Sequence, residues 1–218
     1  MRKGDSYTIL FALGVCAVCS IVLALAASGL RARQQMNVEL DRKLNVLKAF
    51  GEAGGRDEVD AIFDEHITSI DCAKKIDSLE GPMPLYLWKE DGAVRKYAFP
   101  VSGKGLWSTI RGYISLKSDL NTIQGVTFYD HGETPGLGAE VEKDWFQDQF
   151  KGKKIMEDGR LADFMVLKGK VAEKYPQGNP HAVDGISGAT MTGKGVQSFL
   201  NEDLARYNEY FKTVRGGE

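Results

Sequence analysis

Hydrophobic and polar positions are spread unevenly along the chain. From Ser6 to Leu30 there are 25 consecutive residues without a charge, rich in Ile, Leu, Val, Ala and Cys. A helix needs roughly 20 such residues to cross a hydrocarbon core. Beyond Leu30 the apolar positions thin to Leu40, Leu44, Leu47 and Phe50, one face of a helix that continues past the span and stops near Gly51 and Gly54-Gly55. A second helix is predicted over Asp57–Ile70. Val59, Ile62, Phe63, Ile67 and Ile70 form its apolar face, and Asp57 and Glu58 suit its first turn.

From Pro82 the period changes toward two. Leu85–Trp88 and Val94–Phe99 flank Asp91-Gly92, a hairpin signal. Gly112–Leu116 and Gly125–Tyr129 read as two further strands, with a turn near Asp119–Thr122. Asp144–Phe150 reads as a short helix and Asp163–Leu167 as a strand. A final helix over Thr192–Phe211 carries Val196, Phe199, Leu200, Leu204, Tyr207 and Phe211 on one face. Strands joined by tight turns, with helices around them, predict an α+β domain with a mainly antiparallel sheet. The expected organisation is a tail at 1–5, a transmembrane helix at 6–30, a helical stalk or cover at 31–81 and the main domain at 82–218.

A cleavable signal peptide competes with the anchor, since Arg2 and Lys3 precede the apolar run and Ala26-Ala-Ser28 looks like a cleavage site. The run is longer than a usual signal core and helical periodicity continues straight past it, so an uncleaved single-pass anchor is expected. Basic residues flank both ends, so charge alone does not orient it. The formal net charge of −2 gives no sign of a nucleic-acid surface. Cys16 and Cys19 lie inside the apolar run and Cys72 stands alone, so neither a metal site nor a disulfide framework is expected. No strand–G-x-G-x-x-G–helix unit and no G-x-S-x-G elbow occurs, and His131 and His181 lack metal-ligand spacing.

Three segments carry candidate chemistry. Asp184-Gly-Ile-Ser-Gly-Ala-Thr190 places a hydroxyl behind Ser187, Gly188 and Ala189, just before a helix start, with Lys194 one turn on. A phosphate there would meet unpaired helix N–H groups. The plainer reading is a glycine turn capping the helix, with Thr192 as cap. Asp130–Gly138 follows a strand with a compact turn bearing Glu133, Thr134 and Leu137; by itself it is a glycine turn at a strand end. Gly103–Trp107 sets a tryptophan beside glycines, where it could cover a planar ligand or serve as a core residue.

Taken together, the order G-K-G-L-W, H-G-E-T-P-G-L-G, S-G-A-T behind an N-terminal anchor resembles the covalent-FMN family of bacterial membrane redox subunits. The likeness is greatest to the C subunits of Na⁺-translocating NADH:quinone oxidoreductases; the G subunits of Rnf ferredoxin:NAD oxidoreductase complexes come next. It is strongest from about Gly103 to Val196. The resemblance implies FMN joined by a phosphoester to Thr190, placed there from FAD by a flavin transferase that reads a signal including Asp184. It implies a ring held by Trp107, Glu133, Thr134 and Leu137, and electrons relayed from NADH-derived centres toward quinone. It further implies other subunits as partners and a domain on the periplasmic side of the inner membrane. Trp88 and Trp145 gain no such role and are expected in the core. A membrane-anchored scaffold without flavin is the alternative from another class.

Overall fold

The computed structural model describes residues 3–52, 54–75 and 81–216. Met1 and Arg2 of the expected tail, and 76–80 of the expected stalk, lie outside these. The first element, α1 (Lys3–Phe50), is a 48-residue helix. The chain divides into two compact units within it, 1–42 and 43–218. In the first unit every residue from Ser6 to Leu30 is exposed. At about 1.5 Å per residue that stretch is about 37 Å long, enough for a bilayer span.

The second unit begins with the last turns of α1, where Val46, Leu47, Ala49 and Phe50 are buried. The helix ends at Gly51, in the left-handed region at φ +79°. Gly51 N–H bonds to Lys48 O and Glu52 N–H to Leu47 O, both 3.0 Å, the Schellman pattern that satisfies the last carbonyls. A short helix α2 (Val59–His66) follows. Then comes an antiparallel five-stranded meander in sequence order: β1 (Ile67–Asp71), β2 (Pro84–Glu90), β3 (Ala93–Lys104), β4 (Thr109–Lys117) and β5 (Ile123–Asp130). Asp91 and Gly92 turn β2 into β3 with positive φ at both, as the Asp-Gly signal requires. Between β4 and β5 the Asp119 carboxylate accepts from the Asn121 and Thr122 N–H groups and stabilises the turn.

Alternation along the strands gives the sheet two buried faces. Tyr86, Trp88, Tyr113 and Thr127 face the end of α1 and α2, where Phe50 meets Trp88 and Phe63 meets Tyr86. Tyr97, Phe99 and Phe128 face the last helix, α5 (Thr190–Gly216), through Tyr207, Phe211 and Phe199. Between β5 and α5 run two small helical turns, α3 (Asp144–Gln147) and α4 (Val171–Lys174), and two short strand pairs. Phe146, Phe150 and Phe164 of this stretch fill the core beside Phe128.

Three expectations are corrected. The helix over Asp57–Ile70 ends at His66, and Ile67–Asp71 instead forms the sheet edge paired with Pro84–Trp88. A β-branched run beside an open strand takes the ladder over another helical turn. The strand over Asp163–Leu167 shrinks to Met165–Val166, pairing in parallel with Ala182–Val183. Neighbouring backbone groups bond side chains of α5 instead: Phe164 N–H to Asn201 and Val166 N–H to Gln197. Trp145 is not in the core but 47% exposed. One short turn cannot bury two adjacent rings, and Phe146 takes the inner position. Trp88 is buried as expected.

Candidate functional site

Two of the three motif segments, and the helix that opens at the end of the third, meet at one carboxylate. Glu133 leaves the end of β5 and turns inward, only 5% exposed. Its Oε1 accepts from the backbone N–H of Trp107 at 2.9 Å and of Ser108 at 3.1 Å. Its Oε2 accepts from Leu106 N–H at 3.3 Å and from the Thr192 hydroxyl at 2.8 Å. A buried carboxylate is costly unless its lone pairs are filled. Burial pushes the Glu133 pKa up, but the bonds from Trp107, Thr192, Ser108 and Leu106 outweigh it and hold the group below the usual glutamate range. It is therefore an ionised hub joining the β3–β4 turn, the 131–138 loop and α5.

Absent side chains make this closeness possible. A Cβ on Gly105 would sit 2.7 Å from Glu133 Oε1, and one on Gly138 2.7 Å from both Glu133 Oε2 and Thr192 Oγ1. At Gly195 a Cβ would lie 2.3 Å from the Lys104 carbonyl oxygen, so α5 can touch the end of β3 only through glycine.

The acceptor-like heptad forms a turn and then the helix. Ala189 N–H bonds to Ile186 O at 3.1 Å, with Gly188 at φ +75°, the geometry of a type II turn. Gly193 N–H bonds to Ala189 O at 3.0 Å, so the helical ladder starts there. That puts Ala189, which has no side-chain acceptor, at the N-cap and leaves the N–H groups of Thr190, Met191 and Thr192 at the open end. Thr190 is half-buried, Lys194 is exposed one turn along the same face, and Ser187 and Gly188 are exposed. Leu137 reaches across from the β5 loop: its Cδ2 is 2.7 Å from where a Gly188 Cβ would be. Thr134 braces that loop, its carbonyl accepting from Leu137 and Ala139 N–H at 3.1 Å each.

Nine of the ten expected site residues thus lie on the segments around Glu133: Trp107, Glu133, Thr134, Leu137, Ser187, Gly188, Ala189, Thr190 and Lys194. Asp184 is turned elsewhere. Its Oδ1 accepts from Val171 N–H at 2.6 Å and its own N–H donates to Gln149, tying the heptad's start to α4. The Thr192 hydroxyl does not cap α5 but bonds Glu133, 59 residues earlier. The sequence reading missed that role, and it missed Gly105, Leu106 and Met191. Glycines flanking both Glu133 and Trp107 were the available signal.

From Lys43 onward the exposed large hydrophobics among the described residues are Leu106, Trp107, Tyr129, Leu137, Trp145 and Met191. Four of the six, Leu106, Trp107, Leu137 and Met191, sit on or beside these segments, Trp107 at 72% exposure.

The FMN-binding domain family model matches residues 105–205. The C subunit of the Na(+)-translocating NADH-quinone reductase of Pseudomonas aeruginosa is 35% identical, over all of this chain and 98% of its own length. The protein of the same name from Yersinia pestis is 32% identical over 99% of this chain and 96% of its own. The crystal structure of the Parabacteroides distasonis counterpart superposes with a TM-score of 0.71 at 34% identity, over 83% of this chain and 96% of that one. With such similarity along nearly its whole length, the chain belongs to the family of C subunits of the Na⁺-translocating NADH-quinone reductase.

Proposed function

We propose that this chain is the flavin-bearing relay subunit of a Na⁺-translocating NADH-quinone reductase, with FMN attached covalently through a phosphoester to Thr190. The observation that carries the reading is the convergence on Glu133. It brings a half-buried threonine, an open helix N-terminus and four exposed apolar side chains onto segments fixed to one another. A flavin nucleotide has the matching parts, a phosphate and a flat apolar ring. The relatives are C subunits of a Na(+)-translocating NADH-quinone reductase, which gives the complex to which such a subunit belongs.

In attachment, the Thr190 oxygen bonds to the FMN phosphorus of FAD, the anhydride bond to the adenylate breaks, AMP leaves, and the hydroxyl proton passes to the transferase or solvent. The small residues Ser187, Gly188 and Ala189 allow another enzyme's active site to close over this backbone. Asp184 serves that enzyme as part of its recognition signal and, within this chain, holds the heptad to α4.

When bound, FMN supplies reversible electron uptake and release; the protein supplies attachment, orientation and electrostatics. The N–H groups of residues 190–192 and the Lys194 ammonium stabilise the phosphate's charge. Trp107 and Leu137 would cover apolar ring surface, and the Glu133–Thr134 backbone would fix the loop that carries Leu137. The ionised Glu133, its lone pairs taken by this chain's own donors, keeps the three segments in register. Electrons would pass from NADH-derived centres of other subunits toward quinone. One uncharged helix gives this subunit no ion path of its own. The soluble unit lies on the periplasmic side of the inner membrane in this reading. Labelling of a cysteine introduced at exposed Ser187 by an impermeant reagent, in broken cells but not in spheroplasts, would reverse that orientation.

The test is in-gel flavin fluorescence after denaturation, on chain co-produced with the transferase. Wild type should fluoresce, Thr190→Ser should retain part of the signal and Thr190→Ala should lose it entirely. A fluorescent Thr190→Ala band would move the attachment elsewhere.

A further inference from the structure

His131 directly precedes the Gly132–Leu137 turn, and its side chain is only 8% exposed. Its Nδ1 accepts from the backbone N–H of Glu133 at 3.3 Å. Its Nε2 is buried without a well-aligned hydrogen bond and lies 3.3 Å from Glu142 Oε2. Nδ1 can accept only while it carries no proton. A neutral His131 therefore bears its proton on Nε2, facing Glu142. The Lys143 ammonium bonds to the other Glu142 oxygen at 2.6 Å and, against the cost of burial, holds that carboxyl below the usual range. Just before His131, at the end of β5, Asp130 is paired with Arg111 of β4 at 2.6 Å. The Glu133 carboxylate points away, into the N–H groups of residues 106–108.

This arrangement has one consequence when the ring gains a second proton. The new Nδ1–H would face the Glu133 N–H, donor against donor, while the charged ring is drawn at Nε2 toward the Glu142 carboxylate. The ring is buried, with little room to turn away, so the Glu133 amide is pressed to move. That amide begins the segment through Thr134 to Leu137, and Leu137 is packed against Gly188. We propose that His131 is a positioning residue: its neutral imidazole holds the Glu133–Leu137 loop against the flavin, and its protonation releases the loop. The flavin's surroundings then respond to pH through a residue that does not touch it. The inference rests on the proposed placement of FMN against this loop.

The test uses full-length chain in detergent and two readouts. In Thr190→Ala protein, free of flavin, the ¹⁵N-labelled Glu133 amide is followed from about pH 8 to about pH 5, the range in which histidines gain charge. It should shift along a single titration that tracks the His131 ring nitrogens. His131→Asn keeps an acceptor two residues before the same N–H, as in an Asx turn, but does not titrate. Its Glu133 amide should stay constant with pH, near the wild-type high-pH position. His131→Leu, with no acceptor, should displace the amide at every pH. In flavin-bearing chain the fluorescence should change with the same midpoint in wild type and stay constant in His131→Asn. A Glu133 amide that titrates alike in wild type and His131→Asn, or that does not move in wild type, overturns the proposal whatever the flavin does. An amide that behaves as expected beside a wild-type flavin signal constant with pH overturns the link to the flavin. That outcome locates the fault in the loop's placement against the ring, not in Thr190 attachment.

Discussion

Along its C-terminal half α5 meets the sheet through large rings, with Tyr207 stacked on Phe99 at 4.2 Å and Phe211 edge-on to Tyr97 at 5.9 Å. At its N-terminal end the same helix meets the sheet through Gly195 against a carbonyl oxygen and Thr192 against a buried carboxylate. One end is held by filled volume and tolerates exchange of one apolar group for another of similar size. The other is held by backbone approach and a single charge, which fixes positions closely but leaves no slack. A covalently carried cofactor, as proposed above, would need its attachment point and ring supports in fixed register, and the glycine-and-carboxylate end of the helix has that rigidity.

Mutations at the two ends should separate these two kinds of support. Phe211→Ala empties a fully buried ring site and should cost about 4 kcal/mol in urea denaturation of the second unit. The chain that remains folded should still be flavinylated. Glu133→Gln should cost less, about 3 kcal/mol, because an amide cannot accept from five donors and brings N–H groups of its own. It should nonetheless disturb the flavin spectrum, which Phe211→Ala should not. Gly195→Ala should cost about 2 kcal/mol by prying α5 from the end of β3. Thr192→Ala should cost about 1.5 kcal/mol for one bond to a charged acceptor, and with attachment at Thr190, as proposed, flavin should stay on the chain. Combined with Glu133→Gln it should be clearly non-additive, since both remove the same contact. Trp107→Leu should change stability by less than about 0.5 kcal/mol, the ring being exposed, yet shift the absorption of attached flavin.

Acid should separate the two ends as well. Glu133 titrates lower in the folded chain than unfolded, so its contribution is fully present above the ordinary glutamate range and lost as pH falls through its depressed folded value. Below that range the N-terminal end of α5 should loosen first. Amide exchange of residues 190–196 should quicken before that of residues 204–211, and Glu133→Gln should remove the pH dependence of the difference.

The legible parts of the fold were those written in short-range pattern. Asp91-Gly92, the Asp119 turn, the alternating runs of β2 to β5 and the apolar face of α5 all depend on neighbours a few residues away. What escaped depended on partners far along the chain. Ile67–Asp71 has a helical apolar pattern and becomes a strand only because β2 offers an open edge. Trp145 is displaced outward by its neighbour Phe146, a choice that local pattern cannot make. At the site, the motif order led to Thr190, Glu133 and Trp107, but not to what Glu133 binds. A glutamate in a glycine loop does not announce five donors drawn from the β3–β4 turn and α5. Asp184 belonged to the heptad by pattern, and its bond to Val171 was invisible without the fold.

The central claim is a phosphoester on one hydroxyl, and mass analysis addresses it without a spectroscopic model. Chain purified from its own membranes, with its transferase active, should yield on digestion a peptide spanning Thr190 heavier by FMN less one water, fragmenting at Thr190. An unmodified peptide at that position, or the added mass on Ser187 or Thr192, would contradict the account.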